Sequence, residues 1–216
     1  MRSELRNWGE ILLTQNLSPG REIDPVSRWL LIARASLFPL TITSGAIGGL
    51  LAVGNPAARW GYFASALLAL VLAQAASNMI NDFLDLENGI DGEEYRRLQC
   101  APHPILSGLI SKAGLILAIA LVILIALAIV LHLAERQGWP VAAFAMTGLF
   151  IGIAYAAPPI QLKQRGLAEP AVAFVWGPLM VGGSYFATTG ALEPWVIAAS
   201  LPYALLVTAA LIAKHV

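Results

Sequence analysis

Residues 113–131 read AGLILAIALVILIALAIVL, and this stretch decides the fold class. It lies within a charge-free interval that runs from Ala113 to Ala134. An α-helix needs about 20 such residues to cross a bilayer. Five further intervals between consecutive charges are comparably long: Ala35–Ala58, Trp60–Asn81, Gln137–Gln161, Pro170–Leu192 and Pro194–Ala213. Because buried helices of soluble proteins rarely run so long without charge, the six intervals predict an all-α integral membrane protein, a multi-helix transmembrane bundle.

The composition points the same way and excludes several classes of function. Hydrophobic residues make up 58% of the 216 residues and charged residues only 12%, against about 25% charged in soluble domains. Thirteen Lys and Arg balance thirteen Asp and Glu, so no basic excess indicates a nucleic-acid partner. The single cysteine, Cys100, cannot form an internal disulfide.

We divide the chain into an amino-terminal segment, residues 1–28, and a transmembrane domain, residues 29–216. The first segment carries eight charges and no apolar run comparable to that of a signal peptide. Leu5, Trp8 and Leu12 fall near one helical face, together with Leu13, which favours a helix lying on the membrane surface. A solvated tail explains the same segment equally well.

The distribution of basic residues predicts how the bundle is oriented. With six alternating spans, one side carries only Arg59 and Arg136, while the other eleven Lys and Arg fall on the opposite side. Loops rich in Lys and Arg face the cytoplasm, so we expect the amino terminus on the cytoplasmic side of a prokaryotic inner membrane. The two most polar loops, Asp82–Lys112 and Pro158–Glu169, then face the cytoplasm, and we expect the chemistry there.

Acidic residues are concentrated at the end of the second apolar interval. Six of the thirteen acids lie within thirteen residues: Asp82, Asp85, Glu87, Asp91, Glu93 and Glu94. Asn78, Asp82 and Asp85 are spaced by four and three residues, so they share one face of a helix. One amide and two carboxylates form a set of oxygen ligands that suits Mg²⁺. Acids also commonly end a span at the headgroup layer, but Asn78 and Asn81 lie deeper and need partners inside the bundle.

A basic loop follows the fourth interval, in the segment AYAAPPIQLKQRGLAE at residues 154–169. Lys163 offers a compact positive charge and Arg165 a forked guanidinium, and both groups bind phosphate oxygens. Such a loop is also an ordinary feature of a cytoplasmic face, but beside an acidic metal-binding face it matches a diphosphate held through Mg²⁺. Arg34 would add to this clamp. We expect Tyr155 to face either packing or a substrate cavity, and His103 to be structural.

These motifs resemble those of the UbiA superfamily of intramembrane prenyltransferases. The family's first acidic motif is matched by Asn78, Asp82 and Asp85. Its P-[LI]-x-S-G-x-[IV]-S segment is matched by residues 104–111, and its Y-x-x-P-P-x-x-L-K-x-R-G element by residues 155–166. The variant NDFLDLENGID, residues 81–91, is most similar to the menaquinone-type branch, which prenylates 1,4-dihydroxy-2-naphthoate.

The resemblance implies Mg²⁺-dependent transfer of a polyprenyl group from an allylic polyprenyl diphosphate to an aromatic or quinone-precursor acceptor within the membrane, with loss of diphosphate. It also implies nine helices and a second acidic motif after the sixth. This sequence holds six helices and lacks that motif, so we expect it to be truncated after the sixth helix. The site residues implied are Asn78, Asp82 and Asp85 for catalysis and metal, Arg34, Lys163 and Arg165 for diphosphate, and Tyr155, Asn81 and Asp91 for the substrate pocket.

Three other interpretations compete with this one. A membrane transporter with an acidic cation site would carry ionisable residues near mid-membrane, whereas these cluster at one end. A CDP-alcohol phosphotransferase shares Asp91 and Arg96, but Asn88 and Tyr95 break its signature. A catalytically inactive prenyltransferase fragment is the third interpretation, since the second acidic motif is absent from this sequence.

Overall fold

The computed structural model describes residues 2–88 and 101–215, and these ranges contain helices and no strand. This confirms the all-α prediction. In chain order the helices are α1 (Arg2–Thr14), α2 (Pro25–Ile32), a 3₁₀ turn (Ala35–Leu37), α3 (Phe38–Leu51), α4 (Trp60–Glu87), α5 (Lys112–Gln137), α6 (Pro140–Ala156), α7 (Ala168–Phe174), a π-helical turn (Val175–Leu179), α8 (Met180–Thr189) and α9 (Pro194–His215).

Each of the six predicted intervals contains a helix, but the helices differ in length. Among the described residues, four are long and apolar enough to span a membrane: Trp60–Glu87, Lys112–Gln137, the continuous Ala168–Thr189 and Pro194–Ala213. The bent pair Pro25–Ile32 and Ala35–Leu51 makes a fifth if it is one span. Helix α6 has 17 residues, or about 25 Å at 1.5 Å per residue. The adjacent prolines at 158 and 159 prevent its extension, because a residue before proline disfavours helical geometry.

The chain forms two compact units, which we describe separately. The first unit consists of Met1–Phe38 and Gln74–Val122. The second consists of Pro39–Ala73 and Ile123–Val216. The acidic motif therefore belongs to the first unit and the basic loop to the second.

The core of the first unit is closed by the amino-terminal helix. Ile11 of α1 is fully buried in one cluster with Leu31, Met79 and Leu115. On the face predicted to lie on the membrane surface, Leu5, Leu12 and Leu13 are exposed. Residues 2–14 are thus a helix, and the side chain that anchors it is one that the sequence analysis did not single out.

Helix α2 begins with a side-chain cap in this first unit. The Asp24 carboxylate accepts hydrogen bonds from the backbone N–H groups of Val26 and Ser27, both at 3.0 Å. The indole Nε1 of Trp8 donates to the same carboxylate oxygen at 3.1 Å. Capping satisfies N–H groups that have no partner within the helix, so Asp24 both starts α2 and joins it to α1.

Small residues bring the helices of the second unit into close contact. A Cβ atom added at Gly48 would lie 2.5 Å from the carbonyl oxygen of Val181 and 2.8 Å from Cβ of Ser184. The Ser184 hydroxyl also donates to the Gly45 carbonyl at 2.9 Å. A Cβ atom added at Gly182 or Gly183 would lie 3.1 Å from the side chain of Ile197 or 3.3 Å from that of Phe144, respectively. Small residues at membrane helix interfaces permit such approach.

Candidate active site

The acidic face predicted on the second apolar interval lies near the end of α4, in the first unit. Asn78, Asp82 and Asp85 are all buried, with exposed fractions of 3%, 0% and 2%. Helix α4 continues to Glu87, so the three residues project from one helical face as their spacing predicts. Charged groups with so little contact with solvent require partners that offset their desolvation.

Asn78 ties α4 to the break that follows α2. Its Nδ2 donates to the carbonyl of Ala33 at 2.9 Å, and its Oδ1 accepts from Nε2 of Gln74 at 2.8 Å. Gln74 is buried as well. Sequence reasoning missed this residue, although its position four residues before Asn78 places it on the same face.

Arg34 is the partner of Asp82. Its Nε donates to Oδ2 of Asp82 at 3.0 Å, and its Nη2 donates to the other carboxylate oxygen. The guanidinium therefore forks onto the carboxylate, which is the strongest geometry for such a pair. We predicted Arg34 as a diphosphate ligand, and the structure places it against the carboxylate predicted to hold the metal.

His103 holds the backbone of the same helix. Its Nδ1 accepts hydrogen bonds from the N–H groups of Ile105 and Leu106 at 3.2 and 3.3 Å. The other ring nitrogen, Nε2, therefore carries the proton and lies 3.2 Å from the carbonyl oxygen of Asp82. The ring is 2% exposed. We expected a structural histidine, and the structure adds that it fastens the 103–106 turn to the acidic helix.

The motif at residues 104–111 forms a compact turn that starts α5. Gly108 has a φ of +67°, which residues with a Cβ rarely adopt. The backbone N–H of Ile110 donates to the carbonyl of Pro104 at 3.2 Å. Ser111 accepts from the N–H of Gly114 through its hydroxyl at 3.1 Å. The small and hydroxyl residues of the motif thus serve the turn and the start of the helix.

The oxygen-bearing side chains on the acidic face are of the kind that binds Mg²⁺, but the metal would compete with Arg34 for Asp82. Within the ranges 2–88 and 101–215, no group of three or more His, Cys, Asp and Glu residues could hold a metal ion alone. Mg²⁺ commonly binds one or two carboxylates and completes its shell with phosphate and water, so Asp82 and Asp85 suffice in number. Asn81 shares their face, and its buried Oδ1 lacks a hydrogen-bond partner in the described part of the chain. Both oxygens of Asp82, however, already accept from Arg34.

The predicted basic loop is a hairpin of the second unit that folds back on the end of α6. The N–H groups of Leu162 and Lys163 donate to the carbonyls of Ala154 and Tyr155, both at 3.1 Å. Lys163 and Tyr155 are half-buried. Arg165 is exposed, and its Nη2 donates to the Pro159 carbonyl at 2.7 Å. The backbone of Lys163 is thus fastened to that of Tyr155 at the end of α6.

Lys112 and Glu87 form an ion pair at the surface of the first unit. Lys112 at the start of α5 pairs with Glu87 at 2.7 Å, and both side chains are about half exposed. Such exposed pairs contribute little to stability. Asp91, predicted for the substrate pocket, lies outside the described residues.

Comparison with known proteins gives one match. The sequence model of the UbiA prenyltransferase family matches residues 41–216. No curated protein and no solved structure matches the chain. The matched range contains the acidic face, the 104–111 turn and the basic loop, and it begins after Arg34.

Proposed function

The chain belongs to the UbiA prenyltransferase family, and on that premise we propose that it transfers a polyprenyl group from an allylic polyprenyl diphosphate to an aromatic or quinone-precursor acceptor. Its apolar helices make it an integral membrane protein, so both lipid-soluble substrates would reach it from the bilayer. The motif at residues 81–91 supports an acceptor of the dihydroxynaphthoate class, as in the menaquinone-type branch. The concentration of Lys and Arg on one side of the predicted spans, eleven against two, supports a cytoplasmic site.

One observation carries the proposal, namely the buried acidic face of α4. Two carboxylates, Asp82 and Asp85, lie one helical turn apart with almost no exposure. Desolvated acids are unfavourable unless a cation compensates them, and ionisable residues inside membrane proteins mark functional sites. A face of this kind is suited to a metal–diphosphate group.

The proposed chemistry breaks the bond between the allylic carbon and the diphosphate oxygen. The electron pair leaves with the diphosphate, a ring carbon of the acceptor bonds to the allylic carbon, and that ring carbon then loses its proton. Bound Mg²⁺ would supply charge stabilisation for the departing diphosphate. Asn78, Asp82 and Asp85 would hold the metal, while Lys163 and Arg165 would donate to phosphate oxygens. Asn81, predicted for the substrate pocket, lies beside them, and its buried Oδ1 could add a ligand. Tyr155 and Asp91 remain proposed pocket residues.

The test compares two acid-to-amide changes on the same helix. Purified protein in lipid nanodiscs is given geranylgeranyl diphosphate, 1,4-dihydroxy-2-naphthoate and Mg²⁺, and diphosphate release is measured. Asp82→Asn should lower the rate by at least about 100-fold, as loss of a group that stabilises transition-state charge does. Glu87→Gln, an exposed position on α4, should keep the wild-type rate. Wild-type turnover by Asp82→Asn, or turnover in excess EDTA, would contradict the proposal.

A further inference from the structure

Arg34 occupies the carboxylate that the proposed metal would use. Its guanidinium donates to both oxygens of Asp82. The Arg34 side chain is 14% exposed and the Asp82 side chain is fully buried, so this pair is shielded from solvent and weakly screened by salt. A divalent cation that chelates both oxygens of Asp82 needs the lone pairs that accept from the guanidinium and must displace it, while one bound to the remaining lone pairs would lie beside a like charge in a buried site.

The backbone of Arg34 adopts an unfavourable conformation that holds the guanidinium there. Its φ of +51° and ψ of 55° are left-handed, which costs a non-glycine residue about 1 kcal/mol or more. Such conformations persist where surrounding contacts fix them, often at functional sites. Here Nδ2 of Asn78 donates to the carbonyl of Ala33, the residue before Arg34. The backbone N–H of Arg34 donates to the carbonyl of Leu31 at 3.1 Å. The acidic face itself therefore positions the arginine.

We propose that Arg34 is an exchangeable counter-ion, which neutralises Asp82 until a diphosphate binds and then transfers its fork to the diphosphate oxygens. The inference rests on the proposed function, because it requires Asp82 to be a metal ligand. Diphosphate offers a guanidinium the same two-oxygen geometry that a carboxylate does. Exchange therefore leaves the arginine paired, and it frees Asp82 to coordinate the cation that accompanies the diphosphate.

The exchange makes binding of metal and diphosphate mutually dependent. Metal alone must take the Arg34 guanidinium away from Asp82 in a largely buried position, which is unfavourable. Diphosphate removes that penalty by accepting the guanidinium. Coupling of this kind is reciprocal and usually amounts to about 5- to 150-fold in affinity. The site would thus select the metal–diphosphate pair over free metal.

The experiment measures binding and not turnover. Mn²⁺ serves as the probe, and its affinity for the purified full chain is determined by electron paramagnetic resonance with and without inorganic diphosphate. For the wild type we expect diphosphate to raise the Mn²⁺ affinity by at least about 10-fold. In Arg34→Met, Mn²⁺ alone should bind at least about 5-fold more tightly, and the enhancement by diphosphate should shrink. The two readouts move in opposite directions, which a general loosening of the structure would not produce.

Three further variants separate the possible outcomes. Arg28→Met, an exposed arginine on α2, should match the wild type. Arg34→Gly tolerates the left-handed backbone and should repeat the Arg34→Met result. Arg34→Lys serves if either variant fails to fold, and it should change both Mn²⁺ affinities in the same directions by smaller factors. Weaker Mn²⁺ binding in every Arg34 variant, or no change, would overturn the exchange. Failure of the wild type to bind Mn²⁺ with diphosphate present would instead overturn the proposed function.

Discussion

Replacement of His103 separates two tasks that one imidazole ring performs. Its Nδ1 accepts from the N–H groups of Ile105 and Leu106, and its Nε2 donates to the carbonyl of Asp82. In His103→Asn, the side-chain oxygen can replace Nδ1 as the acceptor within the turn, but the side chain is too short to reach Asp82. In His103→Gln, the longer amide can replace Nε2 as the donor, and the acceptor within the turn is lost.

The hydrogen bonds set the size of each effect on stability. Each net bond contributes about 1 kcal/mol, and a buried group left without a partner costs about 1–3 kcal/mol. His103→Asn loses one bond, so we expect the free energy of unfolding to fall by about 1 kcal/mol. His103→Gln loses two, for about 2 kcal/mol. His103→Ala loses three and leaves a cavity, for about 3–5 kcal/mol.

Two measurements on the same proteins then test whether His103 positions the site. Unfolding in mixed micelles gives the stability order wild type, Asn, Gln, Ala. If the hydrogen bond from Nε2 to the Asp82 carbonyl aligns the acidic helix for its ligand, the affinity for Mn²⁺ with inorganic diphosphate should follow a different order. The affinity of His103→Gln should then be closer to that of the wild type than the affinity of His103→Asn. A control, His132→Asn, changes a ring that contacts Tyr62 in the second unit and should leave the affinity unchanged. Identical rank orders in the two assays would show that His103 only stabilises the fold.

Two further predictions concern packing and pH. Gly48→Ala should lower the free energy of unfolding by about 2 kcal/mol, since its Cβ would overlap backbone atoms of the facing helix. In the control Gly61→Ala, no atom lies within 4 Å of the added Cβ, so the free energy of unfolding should not fall. Equal losses in the two variants would contradict the packing argument. A hydrogen bond from the Ser27 hydroxyl is the main cause that lowers the pKa of Asp24 from 3.8 to about 2. The charged carboxylate therefore stabilises the fold fully above pH 3.8, and this contribution is lost as the pH falls towards 2. The fluorescence of Trp8, which donates to Asp24, should change in that window, and Asp24→Asn should abolish the transition.

Local sequence patterns were enough to predict the main elements of this protein. The charge-free intervals gave the helical membrane fold, because hydrophobic length is a property of each segment alone. The spacing of Asn78, Asp82 and Asp85 placed them on one face for the same reason.

Contacts between distant segments could not be predicted in this way. Arg34 was recognised as a basic residue near the site, but its fork onto Asp82 depends on a left-handed backbone that no neighbouring glycine or proline signals. Ile11 was overlooked because the helical face that contains Leu12 and Leu13 looked more apolar. The partner of a side chain is set by tertiary packing, which periodicity does not encode.

The buried position of Ile11 has a practical consequence for anyone producing this protein. Trimming the gene to the range matched by the family, residues 41–216, would discard α1 and α2 and with them three buried side chains of one core cluster, Ile11, Leu31 and Ile32. Detergent would then enter the opening around Met79, one helical turn from Asp82. Expression plasmids should therefore retain the codons of α1 and α2, and loss of activity in a version trimmed to residues 41–216 would report both the opened interior and the loss of Arg34.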